Sequence, residues 1–234
     1  MRVIPWLGSL DAMAHGRADL PALDRQERER MRAFTDHAAA TRFAALRRVQ
    51  RVLVAEALGE TPDRLLSSYE CPECGPDAGH GRPGYRLLGA KQNTAHSTTT
   101  AASCTLSASR AGEWGAVVVV TDAPPRFRLG IDLTLERELF DGFDEVALST
   151  AERDWIRSQP GPERLGARAG LWAAKEALSK RDGHGLRREP SQISVLGRAG
   201  LVDLSLATDV PIPRHRLIAA VPEEAEAAFR RATA

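Results

Sequence analysis

Lysine is nearly missing from this chain: Lys91, Lys175 and Lys180 are the only three among 32 basic residues. Aromatic residues are scarce at 5%, so Leu, Val and Ala must do most of the packing. Cysteine occurs three times, as Cys71, Cys74 and Cys104, which argues against a disulfide framework. No apolar stretch reaches the ~18 residues of a membrane span. Met1 to Leu10 lacks a long apolar run after Arg2, so no leader is expected and a cytoplasmic location is. A net charge of +1 gives the whole chain no nucleic-acid or membrane signature.

The 234 residues, 43% hydrophobic and 27% charged, suit a soluble protein of one large or two small domains. Charge is uneven. Residues 25–51 hold Arg25, Arg28, Arg30, Arg32, Arg42, Arg47, Arg48 and Arg51. Such a run is usually a solvated helix face and only sometimes an RNA surface.

Residues 1–10 can begin with a short strand, and Arg25 to Arg32 is permissive for helix. From Thr35 a longer helix is expected, capped by Asp36 and stopped by Gly59, with Phe43, Leu46, Val49, Val52, Leu53 and Leu58 at helical spacing. Residues 60–112 are rich in Pro, Gly, Ser and Thr and read as irregular, with a strand near Tyr85–Leu88 and a loop within Ala95–Ser109. Trp114 to Thr121 reads as a buried strand. Arg128 to Leu133 reads as a second one, antiparallel to it across a short connection. Ser149 or Thr150 caps a helix, and Glu163 to Lys180 is a strong helix ended by Gly183 and Gly185. Ile193–Val195, Leu201–Leu206 and Leu217–Val221 are candidate strands, followed by a short helix after Pro222. The order suggests two α+β halves, 1–113 and 114–234.

Two segments carry chemistry. In RAGLWAAKEALSK, Trp172, Lys175 and Glu176 fall at i, i+3 and i+4, and Lys180 lies one turn beyond Glu176. A carboxylate between two ammonium groups suits a phosphate and a hard cation. On spacing alone a surface Glu–Lys ion pair is the favoured reading. Gly130-Ile131-Asp132 puts a carboxylate in an apolar strand, where Asp is disfavoured unless at a strand end or a site. The glycine permits close backbone approach. Cys71 and Cys74 with His80 do not complete a four-ligand zinc set. Gly-x-Ser-x-Gly and P-loop motifs are absent, and Gly79-x-Gly81 lacks the flanks of a dinucleotide fingerprint.

Together these segments resemble the 4′-phosphopantetheinyl transferase superfamily, in its larger single-chain type that activates peptide and polyketide synthases. That family carries Gly-Ile/Val-Asp-x-Glu, Phe-Ser-x-x-Glu and Trp-x-x-Lys-Glu-Ala/Ser-x-x-Lys. Here they read Gly130-Ile131-Asp132, then Leu148-Ser149-Thr150-Ala151-Glu152, then Trp172 through Lys180. The first long helix, with Phe34, Arg42 and Arg51, matches loosely. So does His80-Gly81-Arg82-Pro83, where the family has Gly-Lys-Pro. Cys71-Pro72-Glu73-Cys74-Gly75 is similar to a stretch common in actinobacterial members. The family's Ser-His-Ser/Thr is Ser107-Ala108-Ser109, and its second strand carboxylate is Thr134.

The resemblance implies two pseudo-symmetric α+β halves, each a small antiparallel sheet on a long helix, with coenzyme A in the cleft between them. It implies Mg²⁺ on Asp132 and Glu176. Glu176, Lys175 and Lys180 would be catalytic. Arg30, Arg42, Arg51, Arg82, Ser107, Ser109 and Lys180 would bind coenzyme A. The partner would be an acyl or peptidyl carrier protein, with no nucleic acid or membrane involved and a monomer expected. The replacements at Ala108 and Thr134 leave a second expectation: a homologue that keeps the fold but binds, regulates or catalyses something else.

Overall fold

The structure, a computed structural model, describes residues 1–16, 20–76, 81–89, 104–183, 185, 187–204, 206, 208 and 211–233. It is α+β, with small antiparallel sheets and several helices. No helix among the described residues is long and apolar enough to cross a membrane.

The first sheet has the order β1 (Arg2–Ser9), β6 (Trp114–Thr121), β5 (Cys104–Ala111). Its middle strand, WGAVVVVT, is buried throughout. Both of its faces are covered, so the apolar run does not alternate: Val118 and Val120 join the central core, and Val117 and Val119 join a second core that includes residues of α3. Pro5 is tolerated because β1 is an edge strand. The Ser/Thr-rich stretch expected as loop is corrected in part. Residues 104–111 form β5, paired from Cys104 opposite Thr121 to Ala111 opposite Trp114. The remainder, 95–103, lies outside the described residues.

Helix α1 (Leu10–Gly16) and helix α2 (Arg25–Arg32) lead to α3 (His37–Leu58). Asp36 caps α3 through the Ala38 N–H, and Gly59 ends it in the left-handed region. Helices α2 and α3 are joined by buried charge. Glu27 is fully buried and accepts from Arg47 Nε at 2.9 Å and from Arg51 Nε at 2.7 Å. A second small sheet, β3 (Gly75–Pro76), β2 (Leu65–Cys71), β4 (Arg82–Leu87), follows α3.

The third sheet has the order β7 (Gly130–Leu135), β9 (His215–Ala220), β8 (Leu201–Asp203). The expected pairing of the 114–121 and 128–133 segments does not form. Strand β7 pairs instead with β9, from Gly130 opposite Ala220 to Leu135 opposite His215. It meets β5 through side chains, with the Ile131 N–H donating to Ser107 Oγ at 3.0 Å. Ile193–Val195 is not a strand but follows a 3-10 turn at Pro190–Gln192.

Helix α4 (Phe143–Ala147) precedes α5 (Thr150–Ser158), which Ser149 and Glu152 close with a capping box. Helix α6 (Arg164–Asp182) ends at Gly183, and α7 (Glu226–Ala232) is the last element. Strand β7 crosses α6 at Gly130. A Cβ there would sit 2.0 Å from the Ala177 carbonyl oxygen and 2.4 Å from the Arg181 nitrogen. Only glycine lets strand and helix approach this closely, and that approach carries Asp132 to the helix.

Candidate functional site around Asp132

Asp132 is buried in β7 and both of its oxygens accept hydrogen bonds. Ser109 Oγ donates to Oδ1 at 2.8 Å, Lys180 Nζ donates to the same oxygen at 2.6 Å, and Thr134 Oγ1 donates to Oδ2 at 2.8 Å. Lys180 Nζ also reaches Ser109 Oγ at 3.0 Å. Three elements, β5, β7 and α6, therefore converge on one carboxylate. Ser107 and Ser109 share a face of β5 by the two-residue period of a strand, and both turn to β7.

Glu176 stands one helical turn before Lys180 on α6. Burial pushes its carboxyl above the usual range, the Asp132 charge adds to that, and the Lys180 ammonium opposes it. Asp132 and Glu176 are thus electrostatic neighbours. Glu138 is a further one that sequence reasoning missed. Burial raises its carboxyl and Asp132 raises it further, against the Arg137 guanidinium. Its only sequence signal is a carboxylate shortly after the Asp132 strand.

A cavity of about 430 Å³ opens beside this cluster. Arg82, Ser107, Ala108, Lys180 and Arg187 are among its walls, together with Cys71. Arg82 donates from Nη2 to the Asp182 carbonyl at 2.8 Å, while its Nε is buried without a hydrogen-bond partner among the described residues. Burial, together with Arg128, destabilises its charged form. A buried, unsatisfied guanidinium N–H beside a cavity suits an anion. A second cavity of about 290 Å³ is walled by Asp132 itself, with Arg110, Thr134, Glu138, Phe140, Phe143 and Trp172.

Other expected site residues are placed elsewhere. Lys175 does not share the Glu176 face. It is fully buried, 2.6 Å from Glu152 Oε2 and 2.7 Å from the Pro190 carbonyl oxygen. Glu152 also accepts from the Ser149 and Val195 N–H groups. Successive helical residues turn by about 100°, so Lys175 and Glu176 leave α6 in different directions. Leu148-Ser149-x-x-Glu152 and Lys175 form one lock between α5, α6 and the segment before β8. Arg51 is buried against Glu27 and Asp24, and Arg42 makes two 2.8 Å contacts to Asp11. Arg30 lies over the Tyr69 ring, 4.0 Å from its centroid. None of these three arginines is among the described residues lining the 430 Å³ cavity. His80 lies outside the described residues.

Among the described residues, no group of three or more His, Cys, Asp or Glu is arranged to hold a metal ion. Asp132 and Glu176 would offer a cation two carboxylate donors. Two carboxylates that repel one another across a partly buried space fit a hard divalent cation that keeps several waters.

Residues 128–209 match the 4′-phosphopantetheinyl transferase superfamily. That segment contains β7, α5, α6 and β8, and with them Asp132, Glu176 and Lys180. The α+β architecture is consistent with a transferase of that type, and the match supports a transferase. No curated protein matches the chain.

Proposed function

We propose that the protein transfers the 4′-phosphopantetheine arm of coenzyme A to a serine of an acyl or peptidyl carrier protein, as a cytoplasmic monomer of the larger single-chain type. On this reading coenzyme A lies in a cleft between two halves, and β6 (Trp114–Thr121) belongs with the first of them as the middle strand of its sheet. The observation that carries it is the convergence of Ser109 and Lys180 on Asp132, beside Glu176, with Lys180 also in the wall of the cavity that holds Arg82, within and next to the family-matched segment.

The carrier serine oxygen attacks the phosphorus that bears the pantetheine arm. The phosphoanhydride bond breaks and 3′,5′-ADP leaves. Glu176, with a carboxyl raised above its usual range, takes the serine proton. Lys180 offers its ammonium to the charge on the departing phosphate. Arg82 and Arg187 supply cations to the coenzyme A phosphates along the cavity wall. Asp132 and Glu176 would hold Mg²⁺, which neutralises and orients a pyrophosphate when bound. Thr134 holds Asp132 Oδ2 in place. Ser107 braces β7 through the Ile131 N–H.

A second reading is favoured by Ala108 and Thr134: a homologue that binds coenzyme A or a carrier but does not transfer. The experiment is the intact mass of apo carrier proteins after incubation with coenzyme A, Mg²⁺ and this protein. A gain of one phosphopantetheine supports transfer. Calorimetric binding of coenzyme A without any gain across acyl and peptidyl carriers replaces transfer with the second reading. Absence of both binding and transfer overturns the cleft assignment.

A further inference from the structure

Cys71 and Cys74 take no part in the chemistry above, yet Cys71 is in the wall of the same cavity. Strand β2 ends at Cys71, which stands opposite Gly75 in the pairing with β3, so Pro72 to Cys74 are the turn between the strands. The ends of such a four-residue turn lie within about 7 Å, overlapping the roughly 4.4–6.8 Å a disulfide spans. The N–H groups of Cys74 and Glu73, and the Cys74 thiol, bear on the Cys71 sulfur. These donors hold the Cys71 thiol below its ordinary range, and the Cys71 sulfur in turn raises the Cys74 thiol. Both cysteines are free, Cys71 facing the cavity and Cys74 exposed. Cys104 differs: burial pushes its thiol up to about 11.

The surroundings select a reactant. Arg82, with its unsatisfied Nε, lines the cavity that Cys71 faces, beside Lys180 and Arg187, which are paired with Asp132 and Glu73. The turn itself is anchored to the end of α6. Glu73 pairs with Arg187, and a Cβ on Gly183 would stand 2.7 Å from Pro72 Cγ.

We propose that Cys71 and Cys74 are a thiol–disulfide exchange site for an anionic low-molecular-weight disulfide entering from this cavity. The Cys71 thiolate attacks one sulfur of the disulfide, and the S–S bond breaks to release one thiolate, which takes a proton from Cys74. The Cys74 thiolate then attacks the Cys71 sulfur, forming the Cys71–Cys74 bond and releasing the second thiolate to be protonated by water. Two protein thiols are oxidised and one disulfide is reduced to two thiols. A thiolate held by backbone donors and backed by a second thiol is the arrangement this exchange requires. The site does not depend on the transfer reading.

The test uses the full chain, reduced and freed of reductant, incubated with glutathione disulfide, quenched in acid, alkylated and mapped by mass. The expected product is a Cys71–Cys74 disulfide with two glutathione molecules released and Cys104 still alkylated. The Cys74→Ser variant should stop at a glutathione mixed disulfide on Cys71. Neutral bis(2-hydroxyethyl) disulfide should react roughly tenfold more slowly, relative to free cysteine, with the ratio shrinking as salt rises. Unchanged Cys71 and Cys74 thiols in the wild-type protein, or Cys104 reacting first, would overturn the site. So would one zinc ion per purified chain that is lost in Cys71→Ser, since the thiols would then be ligands. Equal rates for the two disulfides would overturn the choice of an anionic reactant.

Discussion

Lys180 reaches across from α6 to within 2.6 Å of Asp132 in β7, while Lys175, on the same helix, is bound 2.6 Å from Glu152 on the opposite side. The two lysines of one short motif thus serve different ends. One stands in the candidate site, and the other holds the helix that carries it.

The Lys175–Glu152 pair is fully buried on both sides. Removing one member leaves the other charge without compensation, which costs about 3–5 kcal/mol. Lys175→Met should therefore lower Tm by roughly 10 °C, at about 2–4 °C per kcal/mol for a chain of this size. Transfer assayed well below that Tm should stay within about threefold, because no interaction with reacting atoms is lost. A loss of about 10²-fold in folded protein, the size typical of a removed transition-state donor, would return Lys175 to the chemistry.

Glu176 sets a pH dependence. Its carboxyl is held above 4.5 in the folded protein. Between 4.5 and the folded value, the native state keeps a proton that the unfolded chain has lost, so stability falls as pH rises through that window. Glu176→Gln should remove this slope. It should raise Tm at neutral pH, while abolishing transfer. In the wild type the transfer rate should climb with pH along a limb above 4.5. Lys180→Met should move that limb, or the carboxyl NMR titration, to higher pH, because Lys180 is the group that lowers the Glu176 value. A limb unmoved by Lys180→Met would detach Glu176 from it.

Among the arginines expected from sequence, Arg82 is the one that faces the cavity with an unsatisfied N–H. Arg82→Met should weaken coenzyme A binding about tenfold or more and flatten its salt dependence. Arg42→Met removes a contact to Asp11 instead and should leave the affinity unchanged. Calorimetry on both variants at two ionic strengths decides the matter. Equal effects would mean the anion lies elsewhere.

Thr134→Glu places a third carboxylate where a hydroxyl now donates to Asp132. Without a cation, like charges at that spacing should lower Tm. With Mg²⁺ the loss should be recovered, and the Mg²⁺-dependent rise in Tm should exceed that of the wild type, since ligand charge and count govern affinity. Thermal melts across a magnesium series measure this directly. A variant insensitive to Mg²⁺ would count against a cation at Asp132.

What the sequence made legible was local. Asp36 and Gly59 bound α3, Ser149 opens α5 and Gly183 closes α6, each by a side chain or a left-handed turn that acts within a few residues. Gly130 was readable as a place of close backbone approach, whereas the association of Asp132 with Glu176 came only from the family resemblance. What failed needed distant partners. Nothing near Lys175 in the chain says that Glu152 will bury it. Nothing near Arg51 says that Glu27 and Asp24 will claim it. Strand β5 is not legible within the Ser/Thr-rich stretch because its serines face β7 rather than solvent. The short link from β6 to β7 suggested a hairpin, but β9 offers β7 its ladder instead.

The pairing of β1 with β6 has a consequence for synthesis. Arg2 lies opposite Thr121 and Ser9 opposite Trp114, so β1, once outside the ribosome, waits for more than a hundred further residues before its partner exists. At about 5–20 residues per second, that is a delay of seconds with an apolar edge unpaired. Strand β6 then emerges as a valine-rich segment of the kind that associates between chains. Slower translation ahead of residue 114 prolongs the wait without changing the native state. Expression yield should therefore respond to codon choice upstream of β6 and to temperature, independently of any substitution in the folded protein.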